Sequence, residues 1–224
     1  MNLILIALAP VFVIAFYIWL RDKYEREPLS QLFLALTGGC LISIPVMFAE
    51  GWLGIPLQYL YGYAEAAWHA FVVAAFTEEL FKFLALLILF WNNRNFNEKF
   101  DGIVYACFIS LGFAGVENIL YVTDGGAEIG LVRAFTAVPA HALFGVVMGY
   151  QVGLAMFFPQ EKARRFFLAM LLPILLHGVY DFILMSGHPY LLLAFIPYVT
   201  FLWFFGLRRM RQLSDRSIFR WFRS

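Results

Sequence analysis

Charge is what this 224-residue chain has least of. Asp, Glu, Lys and Arg make up 14% of it, against roughly 25% in a soluble domain, and 62% is hydrophobic. The mean hydropathy is +0.77. A water-soluble globular enzyme, a disordered chain and a nucleic-acid binder are all excluded by that balance. Sixteen Lys and Arg against fifteen Asp and Glu leave a net charge of +1, so no charged surface names a partner. Cysteine is scarce too. Cys40 and Cys107 lie in apolar runs and read as buried reduced thiols, giving neither a disulfide framework nor a cysteine metal site. The N-terminus lacks a basic n-region and a small-residue cleavage site, so the first apolar run reads as an uncleaved span. No internal repeat stands out.

What is present is a series of long apolar runs. A membrane-spanning helix needs about 20 mostly apolar residues. Seven such runs are expected, over 2–20, 29–49, 67–91, 102–122, 135–157, 167–186 and 190–207. They predict an all-α polytopic membrane protein with one transmembrane domain, 1–207, and a basic tail, 208–224. The Gly- and aromatic-rich stretch 50–66 is a candidate gate. Short-loop Lys and Arg report orientation. With the N-terminus outside, 14 of the 16 basic residues fall on the inner side: Arg21, Lys23, Arg26, Arg94, Lys99, Lys162, Arg164, Arg165 and six in the tail. Arg133 is left outside and Lys82 within a span. The expected topology is N-terminus out, C-terminus cytoplasmic. The tail's RSIFRWFRS alternates Arg with apolar residues and suits the inner surface of an anionic bilayer as well as it suits ordinary flanking charge.

Within these runs stand ionisable groups that cost about 2.5–3.5 kcal/mol each to insert for Asp, Lys and Arg. They are Glu78, Glu79 and Lys82 in the third, Glu117 with Asn118 in the fourth, His141 in the fifth, and His177 with Asp181 in the sixth. At 1.5 Å rise per residue, Glu78, Glu117, His141, His177 and Asp181 fall about 8–16 Å below the outer surface. Four helices thus place polar groups in one slab. Glu78 and Lys82 are i,i+4 on one helix face. His177 and Asp181 are also i,i+4, so the carboxylate can fix the imidazole tautomer. Glu79 is turned about 100° from Glu78, so one of the two meets the reacting centre and the other supports it. Asn118 reads as packing glue between helices. Each group alone has a bland reading as an ion pair or satisfied hydrogen bonder, but the joint arrangement points to a wet, functional cavity.

Carboxylates and imidazoles around a water pocket are the parts of general acid–base hydrolysis. Glu78 and Glu117 can hold one water, with one of them ionised as base. His177, oriented by Asp181, can donate to a developing oxyanion or to the leaving amine. The sequence has no GxSxG or GASxG, no HExxH in a span and no YD/GxGD pair, so the serine, site-2 metalloprotease and aspartyl intramembrane classes find no support.

The motifs do match another family. Glu78-Glu79-Leu80-Phe81-Lys82 is an EExxK, Phe113-Ala114-Gly115-Val116-Glu117 an FxxxE followed by Asn118, and His177-Gly178-Val179-Tyr180-Asp181 an HxxxD. Their order and placement resemble the PrsW family of bacterial intramembrane proteases, distant relatives of the CAAX prenyl proteases. The stretch Asp22-Lys23-Tyr24-Glu25-Arg26-Glu27-Pro28 and His141-Ala142-Leu143-Phe144-Gly145 fit as well. The resemblance covers nearly the whole chain. It implies hydrolysis of a peptide bond in a single-span membrane protein of anti-sigma-factor type, near the outer face of the bacterial inner membrane, at the start of a stress-signalling cascade. It implies Glu78 as water-activating base with Glu79 beside it, Glu117 in the second water-holding position, and His177 with Asp181 on the oxyanion side. The CAAX relatives carry His and often Asn where this chain has Glu117 and Asp181, and an ionised Asp181 would repel an oxyanion. Asp181 is therefore expected to be protonated or to act by orienting His177.

No cofactor is expected on this reading. A zinc protease built from Glu78, Glu117, His141 and His177 is the alternative within the same reaction class, since two imidazoles and carboxylates suit zinc. A proton-coupled transporter is the alternative from another class, because intramembrane Glu, His and Lys also build proton relays.

Overall fold

The computed structural model describes residues 2–214. Every regular element among them is helical: α1 (Leu3–Arg21), α2 (Leu29–Leu53), α3 (Tyr63–Trp68), α4 (Thr77–Phe90), α5 (Lys99–Phe135), α6 (Ala137–Phe157), α7 (Lys162–Met185) and α8 (Pro189–Ser214). A π-helical stretch, His69–Phe76, joins α3 to α4. The expected all-α architecture is present. Among the described residues, five stretches are long and apolar enough to cross a membrane: Leu3–Arg21, Leu29–Tyr59, Lys99–Phe157, Pro159–Met185 and Pro189–Ser214. The 59-residue stretch holds both α5 and α6.

α5 is the central element. From Phe100 through Gly115 every residue is buried, the pattern of a helix that is apolar all round. α1, α2 and α6 pack against it. Its N-terminus carries a capping box, in which the Glu98 side chain accepts from the Asp101 backbone and the Asp101 carboxylate from the Glu98 backbone. Small residues let the backbones close in, as expected for Gly112 and Gly149. A Cβ at Gly112 would lie 2.0 Å from the Leu36 carbonyl oxygen of α2, and one at Gly149 would lie 2.1 Å from the Gly102 carbonyl oxygen of α5. The outer helices do the opposite and expose large apolar side chains, among them Phe48, Phe12 and Phe204. A belt of that kind is stable only where the surroundings are themselves apolar.

Three local features place the site. α5 breaks at Gly126 (φ 79°, ψ −173°), so its last turns, including Arg133, return toward the body of the helix. The run expected as one span over 67–91 is built from the end of α3, the π-helical stretch and α4, and Thr77 Oγ1 donates to the Val72 carbonyl at 3.2 Å. The 50–66 stretch forms a 3-10 turn (Ile55–Tyr59) and most of α3, and Trp68 Nε1 donates to the Leu53 carbonyl at 2.9 Å. α8 runs past residue 207 to Ser214, and the RSIFRWFRS motif lies outside the described residues. Cys40 and Cys107 are both free thiols, Cys107 fully buried.

Candidate active site

The charged groups of the apolar runs meet. Lys82 is 0% exposed, and its ammonium donates to Glu78 Oε2 at 2.9 Å and Glu79 Oε1 at 2.8 Å. It lies 3.1 Å from His141 Nδ1. The i,i+3 and i,i+4 spacings from α4 bring both carboxylates to one cation. An ammonium has only protons to offer, so His141 Nδ1 accepts and its Nε2 carries the hydrogen. That Nε2 points at Glu117 Oε2, 2.8 Å away on α5.

His177, on α7, joins from the other side. Its Nδ1 is 3.0 Å from Glu79 Oε1 and its Nε2 is 3.1 Å from Asp181 Oδ2, one helical turn on. Both nitrogens face carboxylate oxygens, an arrangement satisfied when both carry a proton. The ring stacks on Phe144 with centroids 4.8 Å apart and meets His141 edge-on at 5.2 Å. The chain of contacts runs Asp181, His177, Glu79, Lys82, His141, Glu117, with Glu78 on the same ammonium. Five residues expected from four runs (Glu78, Glu117, His141, His177 and Asp181), with Glu79 and Lys82 on α4, form one network.

A cavity of about 700 Å³ borders part of it. Glu78, Glu117, His141, His177 and Asp181 line this cavity; Glu79 and Lys82 do not. Of the two adjacent glutamates, Glu78 therefore faces the reacting space and Glu79 stands behind it, with its Oε2 buried and without a hydrogen-bond partner. The oxygens of Glu78 and Glu117 that take no cation or imidazole remain for the cavity. Glu50, Gly54 and Leu57 of the 50–66 stretch form part of the wall.

Asn118 holds helices together, as expected: its amide donates to the Ala7 carbonyl of α1 at 2.8 Å. Its oxygen accepts from Arg133 Nε at 2.8 Å. Arg133 itself is a correction. The sequence leaves it in an outer loop, but the structure places it in the cavity wall, with Nη2 3.0 Å from Glu117 Oε2. The hint was there, since Arg133 is the one loop cation that the charge asymmetry does not explain. Glu50 and His69 also line the cavity unforeseen. Glu50 closes an apolar run and His69 opens the π-helical stretch, positions where a polar residue carries little signal.

Glu78, Glu79, His141 and His177 each offer one ligand atom, and these atoms lie within 4.8 Å of one another. Two imidazoles and two carboxylates are donors that zinc accepts, and each ring's far nitrogen is held by a carboxylate, as metal-binding histidines often are. The Lys82 ammonium, however, already stands within hydrogen-bond reach of three of the four.

A helical chain of this apolarity, with acids and imidazoles from four helices gathered at one cavity, has the outline of an intramembrane hydrolase. Comparison with known proteins makes that specific. Residues 27–207 match the model of the PrsW family intramembrane metalloprotease. The chain is 35% identical to Protease PrsW of Clostridioides difficile over 97% of its own length and 93% of that protein's. It is 38% identical to Protease PrsW of Bacillus subtilis, with 92% of each covered, and 37% identical to that of Geobacillus kaustophilus, with 94% and 92% covered. No solved structure matches it. The chain belongs to the PrsW protease family and is a membrane peptidase, as the resemblance of its motifs implied. Membership favours the hydrolase over the transporter reading.

Proposed function

We propose that the chain is a metal-independent intramembrane endopeptidase in which Glu78 activates water. The observation that carries this reading is the pairing of Glu78 with Glu117 on one cavity, each with a cation behind it. A water between their open oxygens loses a proton to Glu78 and attacks the scissile carbonyl. In the resting site the His177 Nε2 proton lies against Asp181 Oδ2 at 3.1 Å, and with substrate bound it turns from that carboxylate to the developing oxyanion. Glu78 then returns the proton to the leaving amine, and the peptide bond breaks. Glu79 touches neither water nor substrate on this scheme, but locks Lys82 and His177 in place.

A resident dication does not fit beside Lys82. The positive charge that Glu78 and Glu79 need is supplied at 2.8–2.9 Å by an ammonium, and a metal among the same donors would meet like charge at contact range. No step is therefore routed through a metal.

The substrate on this reading is a single-span membrane protein of anti-sigma-factor type, cut near the outer face. The enzyme spans the bacterial inner membrane seven times as one catalytic domain, 1–207, N-terminus outside and the basic tail in the cytoplasm. The cavity's position toward the α2–α3 end of the bundle supports outer-face cleavage under that topology. The test is reconstitution in liposomes with a candidate single-span substrate, comparing wild type with Glu78→Gln, with and without a zinc chelator. Cleavage by wild type in chelator, and its loss in Glu78→Gln, is the expected result. Loss of wild-type cleavage in chelator, restored by added zinc, would establish the metalloprotease instead.

A further inference from the structure

Glu117 shares a single oxygen between two partners. His141 Nε2 reaches Oε2 at 2.8 Å and Arg133 Nη2 reaches the same Oε2 at 3.0 Å, which leaves Oε1 to the cavity. Arg133 is fixed on its other sides. Its Nε donates to Asn118 Oδ1 at 2.8 Å, and its guanidinium lies 3.9 Å from the centroid of the Tyr121 ring. Asn118 in turn is anchored to α1 through the Ala7 carbonyl at 2.8 Å. A planar cation stacked on one face, hydrogen-bonded through Nε and in ion-pair contact through Nη2 has little freedom left. It arrives from the far side of the Gly126 break, so a stretch that reads as a polar loop completes the site.

Resting on the hydrolytic reading above, we infer that Arg133 is a positioning residue for Glu117. It holds the carboxylate by one oxygen so that the other faces the water shared with Glu78. It also balances the Glu117 charge as Lys82 balances those of Glu78 and Glu79. The guanidinium is suited to this because two of its nitrogens work at once: Nε on Asn118 fixes the plane, and Nη2 meets the acid. A lysine in its place could supply the charge but not the fixed plane.

The experiment uses the full chain in liposomes with a single-span substrate, and Glu78→Gln as the control for the hydrolytic reading itself. Arg133→Gln is expected to lower kcat by about 10²-fold, the usual cost of displacing a reacting group by about 1 Å, with KM within about twofold. Arg133→Lys is expected to recover about tenfold of that loss, since charge returns without the plane. Added guanidinium ion should raise the rate of Arg133→Ala in a saturable way and leave Arg133→Lys unchanged, a response that a packing defect would not give. Thermal melts of each variant in detergent accompany the rates. If Arg133→Ala does not accumulate, Arg133→Lys decides: wild-type melting with a kcat as low as that of Arg133→Gln overturns the inference. A rise in KM with kcat unchanged also overturns it, because Arg133 would then bind substrate directly. Wild-type kinetics in Arg133→Gln, alongside an inactive Glu78→Gln, would remove Arg133 and leave the proposed chemistry standing.

Discussion

α5 carries two buried acidic clusters, sixteen residues or about 24 Å apart along its axis, and they are built on different terms. Around Glu117 the acids alternate with cations and imidazoles: Lys82, Arg133, His141 and His177 all touch a carboxylate. Around Asp101, at the other end, the hydrogen bonds to Asp101, Asp22, Glu25 and Glu27 come from neutral donors. Asp101 Oδ2 accepts from the backbone N–H groups of Asn97 at 2.9 Å and Glu98 at 2.7 Å. Asp22 Oδ2 accepts from the Glu27 backbone at 2.8 Å, Glu25 accepts from the Asn97 amide at 2.9 Å, and Glu27 accepts from the Tyr105 hydroxyl. The first cluster opens onto the cavity, whereas Asp22, Glu27, Glu98 and Asp101 line no part of it. Compensated charge beside water is a place to do chemistry. Acids held by backbone and phenol act as a clasp, which ties the α1–α2 connection to the start of α5.

The largest expected effects separate the two by activity. Glu117→Gln and His177→Ala should each reduce cleavage by about 10²–10⁴-fold, the range for removing a group that handles the proton. Glu27→Gln and Asp101→Asn should leave kcat within about threefold of wild type, a barrier change under about 0.7 kcal/mol, because neither carboxylate lines the cavity. Initial-rate measurements on the same single-span substrate check both. An inactive but stably folded Asp101→Asn would abolish the distinction.

Next comes stability. Lys82→Met strips Glu78 and Glu79 of their common cation in a fully buried place, and breaking a buried pair from one side costs about 3–5 kcal/mol. Lys82→Met with Glu79→Gln should recover part of that loss, because fewer uncompensated charges remain. Denaturation of the purified variants in detergent reads it. Equal destabilisation by the single and double variants would mean that charge balance is not what holds the cluster.

Much of the cavity cluster was legible in the sequence, because a Glu, Lys or His inside a run of Leu, Ile and Phe is costly enough to stand out. The i,i+4 pairs Glu78–Lys82 and His177–Asp181 followed from helical spacing alone, and both contacts are present. Spacing could say that Glu78 and Glu79 differ, but not which one faces the cavity. That depends on how α4 is rotated, and the π-helical turn before it left no mark in composition. Arg133 was hidden because charge in a polar loop is unremarkable; only the return at Gly126 makes it part of the site. The second cluster was hidden for the same reason. Asp22, Glu27 and Asp101 lie at run edges, where the sequence reads solvated charge, yet they are 1%, 3% and 0% exposed.

That burial gives the clasp a pH dependence of its own. Loss of solvent pushes Asp22 from 3.8 up to about 7, with Glu98 and Glu25 nearby adding to the rise against the opposing Glu27 backbone hydrogen bond. Burial likewise pushes Glu27 from 4.5 up to about 7, against the opposing Tyr105 hydrogen bond. A carboxyl whose folded pKa is raised binds more protons folded than unfolded, so its contribution is fully present below the unfolded pKa. The contribution falls away as pH climbs through the folded one. Between about pH 4 and pH 7 each group should therefore weaken the fold by up to about 1.4 kcal/mol per pH unit. Asp22→Asn removes one titrating group while preserving the acceptor oxygen that faces the Glu27 backbone. The difference in melting temperature between wild type and Asp22→Asn should accordingly shift against wild type as pH rises from 5 to 7.5. Taking the difference cancels the titration of the cavity cluster, which is common to both proteins, while Glu27, relieved of the Asp22 charge in the variant, shifts the difference in the same direction. A difference that stays flat, or shifts in favour of wild type as pH rises, would mean that Asp22 is ionised in the fold throughout, and that the two ends of α5 manage their charges alike.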